Sequence, residues 1–275
     1  MTGTLHLVAV PIGNLDDLGT RARETLAAAA VVAAEDTRHF ATLARHHGLS
    51  VRAVSYHDHN EAARTAELIG RLTAGDDVAL VTDAGTPLVS DPGFRLVRAA
   101  IDSGIAVTAV PGPSAVITAL IGSGLPPHPF HFIGFLPRAA GARRSAFGEV
   151  AGLDATLVAF EAPHRLASAV RDALAVLGDR PACLARNLTK PHERYQRGTL
   201  SELLAELTAE GEVRGEATLV IGGSRPTPAI EEAEADARLL LEHGAPAKAV
   251  QELVQHRHGL SKRDAYALVL RIRDR

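Results

Sequence analysis

The chain has 275 residues, of which 46% are apolar, 22% charged and 4% aromatic, the composition of a soluble globular protein long enough for about two domains. Its one cysteine, Cys183, excludes an internal disulfide and a cysteine-rich zinc site, and points to a reducing, cytosolic setting. The formal net charge of −3 excludes an overall basic field, so any attraction for nucleic acid has to come from local clusters.

No lysine or arginine precedes Arg21, so no secretory signal is expected. Leu5 to Val10 reads as a buried strand and Arg21 to Ala30 as a helix, followed by short strands at Val31 to Ala34 and Val51 to Ser55. A helix is predicted over Glu61 to Thr73 with Ala62, Ala66 and Ile69 on one side. Strands follow at Val78 to Thr82 and Ala106 to Val110, around a helix at Phe94 to Asp102. The greasiest stretches, Leu26 to Ala34 and Ile105 to Ile121, are stopped by Glu35 or broken by Pro111, Gly112 and Pro113. Neither reaches the length of about 20 residues that a membrane span needs.

Gly122 to Pro137 contains four prolines and reads as a linker rather than a regular element. The pattern then resumes with strand Thr156 to Phe160, helix Arg165 to Leu177, strand Ala182 to Arg186, helix Leu200 to Ala209 and strand Ala217 to Ile221. Ser224 to Pro228 breaks it again, and three helical segments close the chain, the last capped by Ser261. The expectation is an α/β domain over 1–121, a second over 122–225 and a helical segment over 226–275, with parallel strands and crossover helices.

Two basic clusters stand out. One is Arg138, Arg143 and Arg144, in a loop-like stretch rich in Gly and Ala. The other runs from Lys248 to Arg275 and includes Lys262 and Arg263. Charge alone reads both as solvated surface, although either could touch phosphates.

In open α/β sheets, ligands bind beyond the carboxyl ends of the strands. Three strands here run into loops of glycine and proline: Pro11-Ile12-Gly13-Asn14, Asp83-Ala84-Gly85-Thr86-Pro87 and Pro111-Gly112-Pro113-Ser114. Such loops present rigid backbone groups, and three together exceed what ordinary tight turns require. There is no GxGxxG fingerprint and no GxxxxGK[ST] phosphate loop. A ligand with a purine and a zwitterionic amino acid but no phosphate suits them. S-adenosylmethionine is such a ligand, though spacing does not single it out.

With Glu35-Asp36-Thr37-Arg38, His57-Asp58-His59-Asn60-Glu61, Asp91-Pro92-Gly93, Gly134-Phe135-Leu136-Pro137, Glu161 with His164-Arg165, and Leu188-Thr189-Lys190 with Glu193, these loops form an ordered series. The series resembles the RsmI-type branch of the tetrapyrrole methylase superfamily from residue 5 to about 222. The resemblance implies two α/β domains with the cofactor S-adenosylmethionine in the cleft between them; the small C-terminal helical segment follows the family only loosely. It further implies a cytoplasmic homodimer that methylates the ribose 2′-hydroxyl of a cytidine in 16S rRNA of the small ribosomal subunit, at the P site. A methylase of a tetrapyrrole precursor or other small molecule is the alternative. The chain departs from the family at Asn187, where Glu is usual.

On this reading the cofactor-binding residues are Pro11, Gly13, Asp83, Ala84, Gly85, Thr86, Pro87, Pro111, Gly112, Ser114, Leu188, Thr189, Glu216, Ala217 and Thr218. Asp36 and Arg38 are the catalytic candidates, for proton handling or ribose positioning. Their plainer alternative is a helix cap with a surface ion pair. No metal site is expected, because His57 and Asp58 would point to opposite faces of a strand. A substrate-facing loop or a helix cap is the better reading there. His164 and Arg165 are expected to meet RNA or the cofactor cleft, or else to start a helix. Cys183 reads as a small buried hydrophobe.

Overall fold

Val31-Val32-Ala33-Ala34 and Val78-Ala79-Leu80-Val81 are continuous apolar runs, the pattern of strands covered on both faces. The computed structural model describes residues 2–211, 215–224 and 230–273 and places both runs at the centre of a sheet. The chain divides into two compact units. The first takes 1–122 with 185–195 and 215–218; the second takes the remainder. The expected boundary at 225/226 lies outside the described residues, as do Asp274 and Arg275.

The first unit contains β1 (Thr4–Val8), α1 (Thr20–Ala28), β2 (Val31–Ala34), α2 (Thr37–His46), β3 (Ala53–Ser55), α3 (Glu61–Thr73), β4 (Val78–Val81), α4 (Phe94–Asp102), β5 (Ala106–Val110) and α5 (Ala115–Ser123). The strands lie in the order β3-β2-β4-β1-β5, and every pair is parallel. Alternate residues feed two cores. Val32, Ala34, Ala79 and Val81 pack with Leu26, Phe40 and Leu43, while Val31, Ala33, Val78 and Leu80 pack with Leu68, Leu72 and Leu96. Each buried leucine contributes about 1.5–3 kcal/mol. That preference sets the rotation of α3, which turns Thr65, Leu68 and Leu72 inward and leaves Ala62 and Ala66 exposed, contrary to the expected face. Leucine removes more apolar surface from water than alanine does.

The second unit is built on β6 (Phe130–Phe135), α6 (Ala140–Val150), β7 (Thr156–Glu161), α7 (Leu166–Leu177), β8 (Pro181–Arg186), β9 (Arg194–Thr199), α8 (Leu200–Glu210) and β10 (Ala217–Ile221). Its sheet runs β6-β7-β10-β8-β9. Two expectations are corrected here. The proline-rich stretch 122–137 contains β6, because its prolines flank the strand rather than interrupt it. Arg143 and Arg144 sit on α6, not in a loop. Both pair with Asp172 of α7, and Arg143 is buried with its Nη2 at 2.5 Å from Oδ2.

Three further helices, α9 (Ile230–Glu242), α10 (Ala247–His258) and α11 (Lys262–Arg273), share a core of Ala233, Ala237, Val250, Val254, Leu268 and Val269. Gly259 takes the left-handed conformation between α10 and α11, and Ser261 Oγ accepts the Asp264 N–H at 3.1 Å, the expected cap. Among the described residues, no helix is long and apolar enough to cross a membrane.

Candidate functional site

Strand β1 stops at Val8 rather than Val10, because Val10 leaves the parallel ladder to form a two-bond antiparallel bridge with Gly85. The Val10 N–H donates to the Gly85 carbonyl at 2.9 Å and the Gly85 N–H donates back at 3.1 Å. Gly85 has φ +83°, a conformation few other residues adopt. The loops after β1 and β4 are thereby one unit. Thr86 Oγ1 donates to the Pro113 carbonyl at 3.0 Å and joins the loop after β5 to them.

A fourth piece comes from far along the chain. The Asn14 N–H donates to Thr189 Oγ1 at 3.0 Å. A Cβ on Gly13 would lie 2.9 Å from the Leu188 carbonyl oxygen and 2.8 Å from Thr189 Oγ1, so only glycine permits this approach. Asn187 and Thr189 both have positive φ, at +51° and +63°. Such a conformation is common for Asn and strained for a β-branched residue. The Asn187 N–H donates to the Glu216 carbonyl at 3.0 Å, and Asn187 Oδ1 accepts the Glu216 N–H at 3.2 Å. Asn187 therefore fastens the loop after β8 to the segment entering β10.

These loops border a cavity of about 490 Å³ in the first unit, lined by Pro11, Gly13, Asp83, Ala84, Lys190 and Glu216 among others. A smaller hollow beside it is lined by Ile12, Ala115, Leu188, Glu216, Ala217 and Thr218. Gly85, Thr86, Pro87, Pro111, Gly112, Ser114 and Thr189 line neither. Gly112 instead packs on Ala9, where a Cβ would come within 3.1 Å of the Ala9 methyl.

Asp36 caps α2, accepting the Arg38 N–H at 2.8 Å and pairing with the Arg38 guanidinium at 2.6 Å. Hydrogen bonds from Arg38 hold its carboxyl well below the usual carboxylate range, which makes it a poor proton acceptor. Its backbone N–H donates to Asp83 Oδ1 at 3.0 Å, so this cap is tied to the cavity wall. The other Asp83 oxygen faces His39 Nδ1 at 3.2 Å.

Sequence reasoning missed the carboxylates behind that wall. Glu35 accepts from Thr82 Oγ1 at 2.8 Å and from the Asp83 N–H at 3.3 Å. Burial pushes Asp91 up to about 6, against the Thr82 hydrogen bond and with the charges of Glu35 and Asp83 adding to the rise. Lys190, which pairs with Glu216 at 2.6 Å, was also missed as a cavity residue. Asp91 and Lys190 stood in quoted motifs, but their polar partners are not local in sequence.

His57 to Asn60 form a loop. The His57 N–H donates to Asn60 Oδ1 at 2.9 Å, and the His57 carbonyl accepts from Asn60 and Glu61 at the start of α3. Among the described residues there is no group of three or more His, Cys, Asp or Glu arranged to hold a metal ion. His164 and Arg165 lie in a 3-10 turn, Pro163–Arg165, that leads into α7.

The tetrapyrrole (corrin/porphyrin) methylase model matches residues 4–204, from β1 into α8. The chain is 51% identical over 271 residues to ribosomal RNA small subunit methyltransferase I of Micromonospora olivasterospora, covering 98% of this chain and 87% of that protein. Among solved structures it resembles uroporphyrin-III-C-methyltransferase from Thermus thermophilus, with 26% identity, a TM-score of 0.56, and coverage of 81% of this chain and 95% of that one. The same enzyme complexed with S-adenyl homocysteine matches with 22% identity and a TM-score of 0.57, over 81% of this chain and 98% of that one.

Proposed function

The chain belongs to the tetrapyrrole methylase family, and from that premise we propose that it is an S-adenosylmethionine-dependent methyltransferase acting on the ribose 2′-hydroxyl of a cytidine in 16S rRNA, at the ribosomal P site. The observation that carries this reading is the 51% identity, over nearly the whole chain, to a ribosomal RNA small subunit methyltransferase I. The small-molecule alternative has weaker support, since the uroporphyrin enzyme is 26% identical.

The cavity in the first unit suits the cofactor. Its size falls in the range of about 300–1,000 Å³ usual for small-molecule sites. Its wall combines the loop segments Pro11 to Gly13 and Asp83 to Ala84, the Asp83 and Glu216 carboxylates included, with the ammonium of Lys190. That donor set matches a zwitterion on an uncharged purine nucleoside. Bound there, the cofactor supplies an electrophilic sulfonium methyl. The loops at 111–114 and 187–189 and the strand start at Glu216 to Thr218 hold the wall in place. Asp36 and Arg38 position the ribose rather than accept its proton, because Asp36 is too weakly basic.

RNA contact falls to the C-terminal helices. α10, the turn at 259–261 and α11 have the layout of a helix-turn-helix. Arg257 pairs with Asp236, and Arg271 with Glu234, so much of the local positive charge is neutralised. Lys262 and Arg263 are exposed at the start of α11, Arg263 with its Nε 3.5 Å from Asp264 Oδ1. Changing both to alanine should weaken binding to the subunit and flatten its salt dependence by a slope of about 1.5–2.

The cytoplasmic homodimer rests on one face of the first unit. Edge strand β5 exposes Ala106, Thr108 and Ala109, α4 exposes Phe94 and Ile101, and α5 exposes Ile117 and Ile121. A second copy is the occupant proposed for this apolar surface, and sedimentation of wild type against Ile121→Asp tests it.

The test of the activity is methyl transfer to small ribosomal subunits from a strain lacking the protein, with mass spectrometry of the released nucleosides. A 2′-O-methylated cytidine is the expected product. Cofactor binding with no transfer would overturn the reading.

A further inference from the structure

Helix α11 has two sides of opposite character. Its inward side is Ala265, Leu268, Val269 and Ile272, which complete the core shared with α9 and α10. At about 100° per residue, Lys262, Arg263, Tyr266, Leu270 and Arg273 fall together on a stripe roughly 100° wide that faces away from that core. All five are exposed, Tyr266 by 56% and Leu270 by 44%. The stripe carries three cations and no carboxylate. Asp264 lies on the other flank, where Ser261 Oγ donates to its Oδ2 at 2.6 Å, and Arg271 on that flank is held by Glu234 at 2.6 Å. Arg263 Nε comes within 3.5 Å of Asp264 Oδ1, an exposed pair too weak to withhold the guanidinium from an anion.

The position of Tyr266 sets it apart from the other two tyrosines of the chain. Tyr56 is fully buried with its hydroxyl against Thr65, and Tyr195 is half-buried with its hydroxyl on the Thr118 carbonyl. Tyr266 alone presents its ring to solvent, beside a leucine one turn on and between cations. A flat ring set among cations complements a polyanion whose repeating unit has an aromatic face. An acidic protein surface would satisfy the cations but offers the ring no regular partner.

The helix-turn-helix layout does not license groove insertion here. The major groove of an RNA helix is deep and narrow, and its bases are already stacked on one another. An unpaired nucleotide offers both a free base face and a phosphate on either side. From Lys262 to Arg273 the helix rises about 16 Å, enough for cations at its two ends to reach phosphates flanking a central base. We propose that α11 docks on an unpaired nucleotide of the RNA, the base stacked on Tyr266 beside Leu270 and the flanking phosphates held by Lys262 and Arg263 on one side and Arg273 on the other. This rests on the RNA methyltransferase reading above and concerns a contact made by α11 alone, separate from the methylated nucleotide.

The test uses the full chain. Tyr266→Ala should weaken binding to small ribosomal subunits on the order of tenfold, while Tyr266→Phe, which keeps the ring, should bind within about twofold of wild type. No charge is removed, so the salt dependence of Tyr266→Ala should match that of wild type, unlike the Lys262 and Arg263 double variant. Tyr266→Trp supplies a direct readout, because it gives a chain without tryptophan a single one. Its fluorescence should be quenched by a single-stranded RNA oligonucleotide and far less by the same oligonucleotide paired into a duplex. Equal quenching by both, or by neither, overturns the proposal. Quenching by polyglutamate and not by RNA also overturns it, and assigns the stripe to an acidic protein. If Tyr266→Ala binds subunits as tightly as a wild type that methylates them, the proposal falls and the RNA reading stands. A wild type that neither binds nor methylates subunits removes the RNA reading, and the proposal with it.

Discussion

The two units solve the same problem, holding loops at strand ends, with different materials. In the first unit the loops are tied mainly through backbone and small side chains: Val10 to Gly85, Asn14 to Thr189, Asn187 to Glu216. Glycine is required there because the chains touch. In the second unit the loop after β6 hangs on two arginines, Arg143 buried and Arg165 partly so, each matched to a carboxylate. Backbone ties leave room for a ligand to take its contacts from the main chain. Buried ion pairs instead concentrate the energetic consequences of mutation in a few side chains.

Removing one partner of a buried pair should have the largest effect. Arg143→Ala is expected to lose about 3 kcal/mol of stability in chemical denaturation, since it removes the buried guanidinium beside Asp172 and leaves that carboxylate only the half-exposed Arg144. In the first unit the comparable change should spare the fold and strike the ligand. Gly13→Ala forces apart loops that touch at under 3 Å, and titration calorimetry should find cofactor affinity lower on the order of 100-fold. Equal loss of stability in both variants would erase the distinction.

Asp91 offers a pH-dependent test. Its folded value of about 6 lies above the ordinary 3.8, so the fold favours the protonated form. The stability it contributes is full below the ordinary value and is lost as pH rises through about 6. Asp91→Asn never ionises. It should be more stable than wild type at pH 7 by about 1 kcal/mol after allowance for solvent screening, with the gap closing toward pH 4 in thermal melts. Gly141→Ala on α6 should have the smallest effect. An added Cβ there meets nothing, and a gain of about 0.5–1 kcal/mol is expected from the stiffer unfolded chain.

The alternation of apolar runs and helical segments made the first sheet readable, because parallel strands buried on both faces leave an unbroken apolar signature. Other elements left no such mark. β9 is a polar strand at the end of its sheet, and α5 is a helix written in β-branched residues, so tertiary context overrode propensity. β6 was hidden by the prolines on either side of it. At the site, the glycine and proline loops announced themselves through their composition. Glu35 and Lys190 did not, since nothing local in a sequence reports a hydrogen bond to a residue 47 or 26 positions away.

The first unit is discontinuous along the chain, and this orders events during synthesis. Its sheet is complete by residue 122, yet the cavity wall waits for Leu188 to Lys190 and Glu216. At the usual pace of about 5–20 residues per second, roughly 5–20 s pass between those points. A nascent chain released before residue 185 would carry a finished sheet and three loops tied to one another, but not the Lys190 and Glu216 side of the cavity wall. Prematurely terminated products of this gene should therefore be empty of cofactor, not weakened versions of the whole.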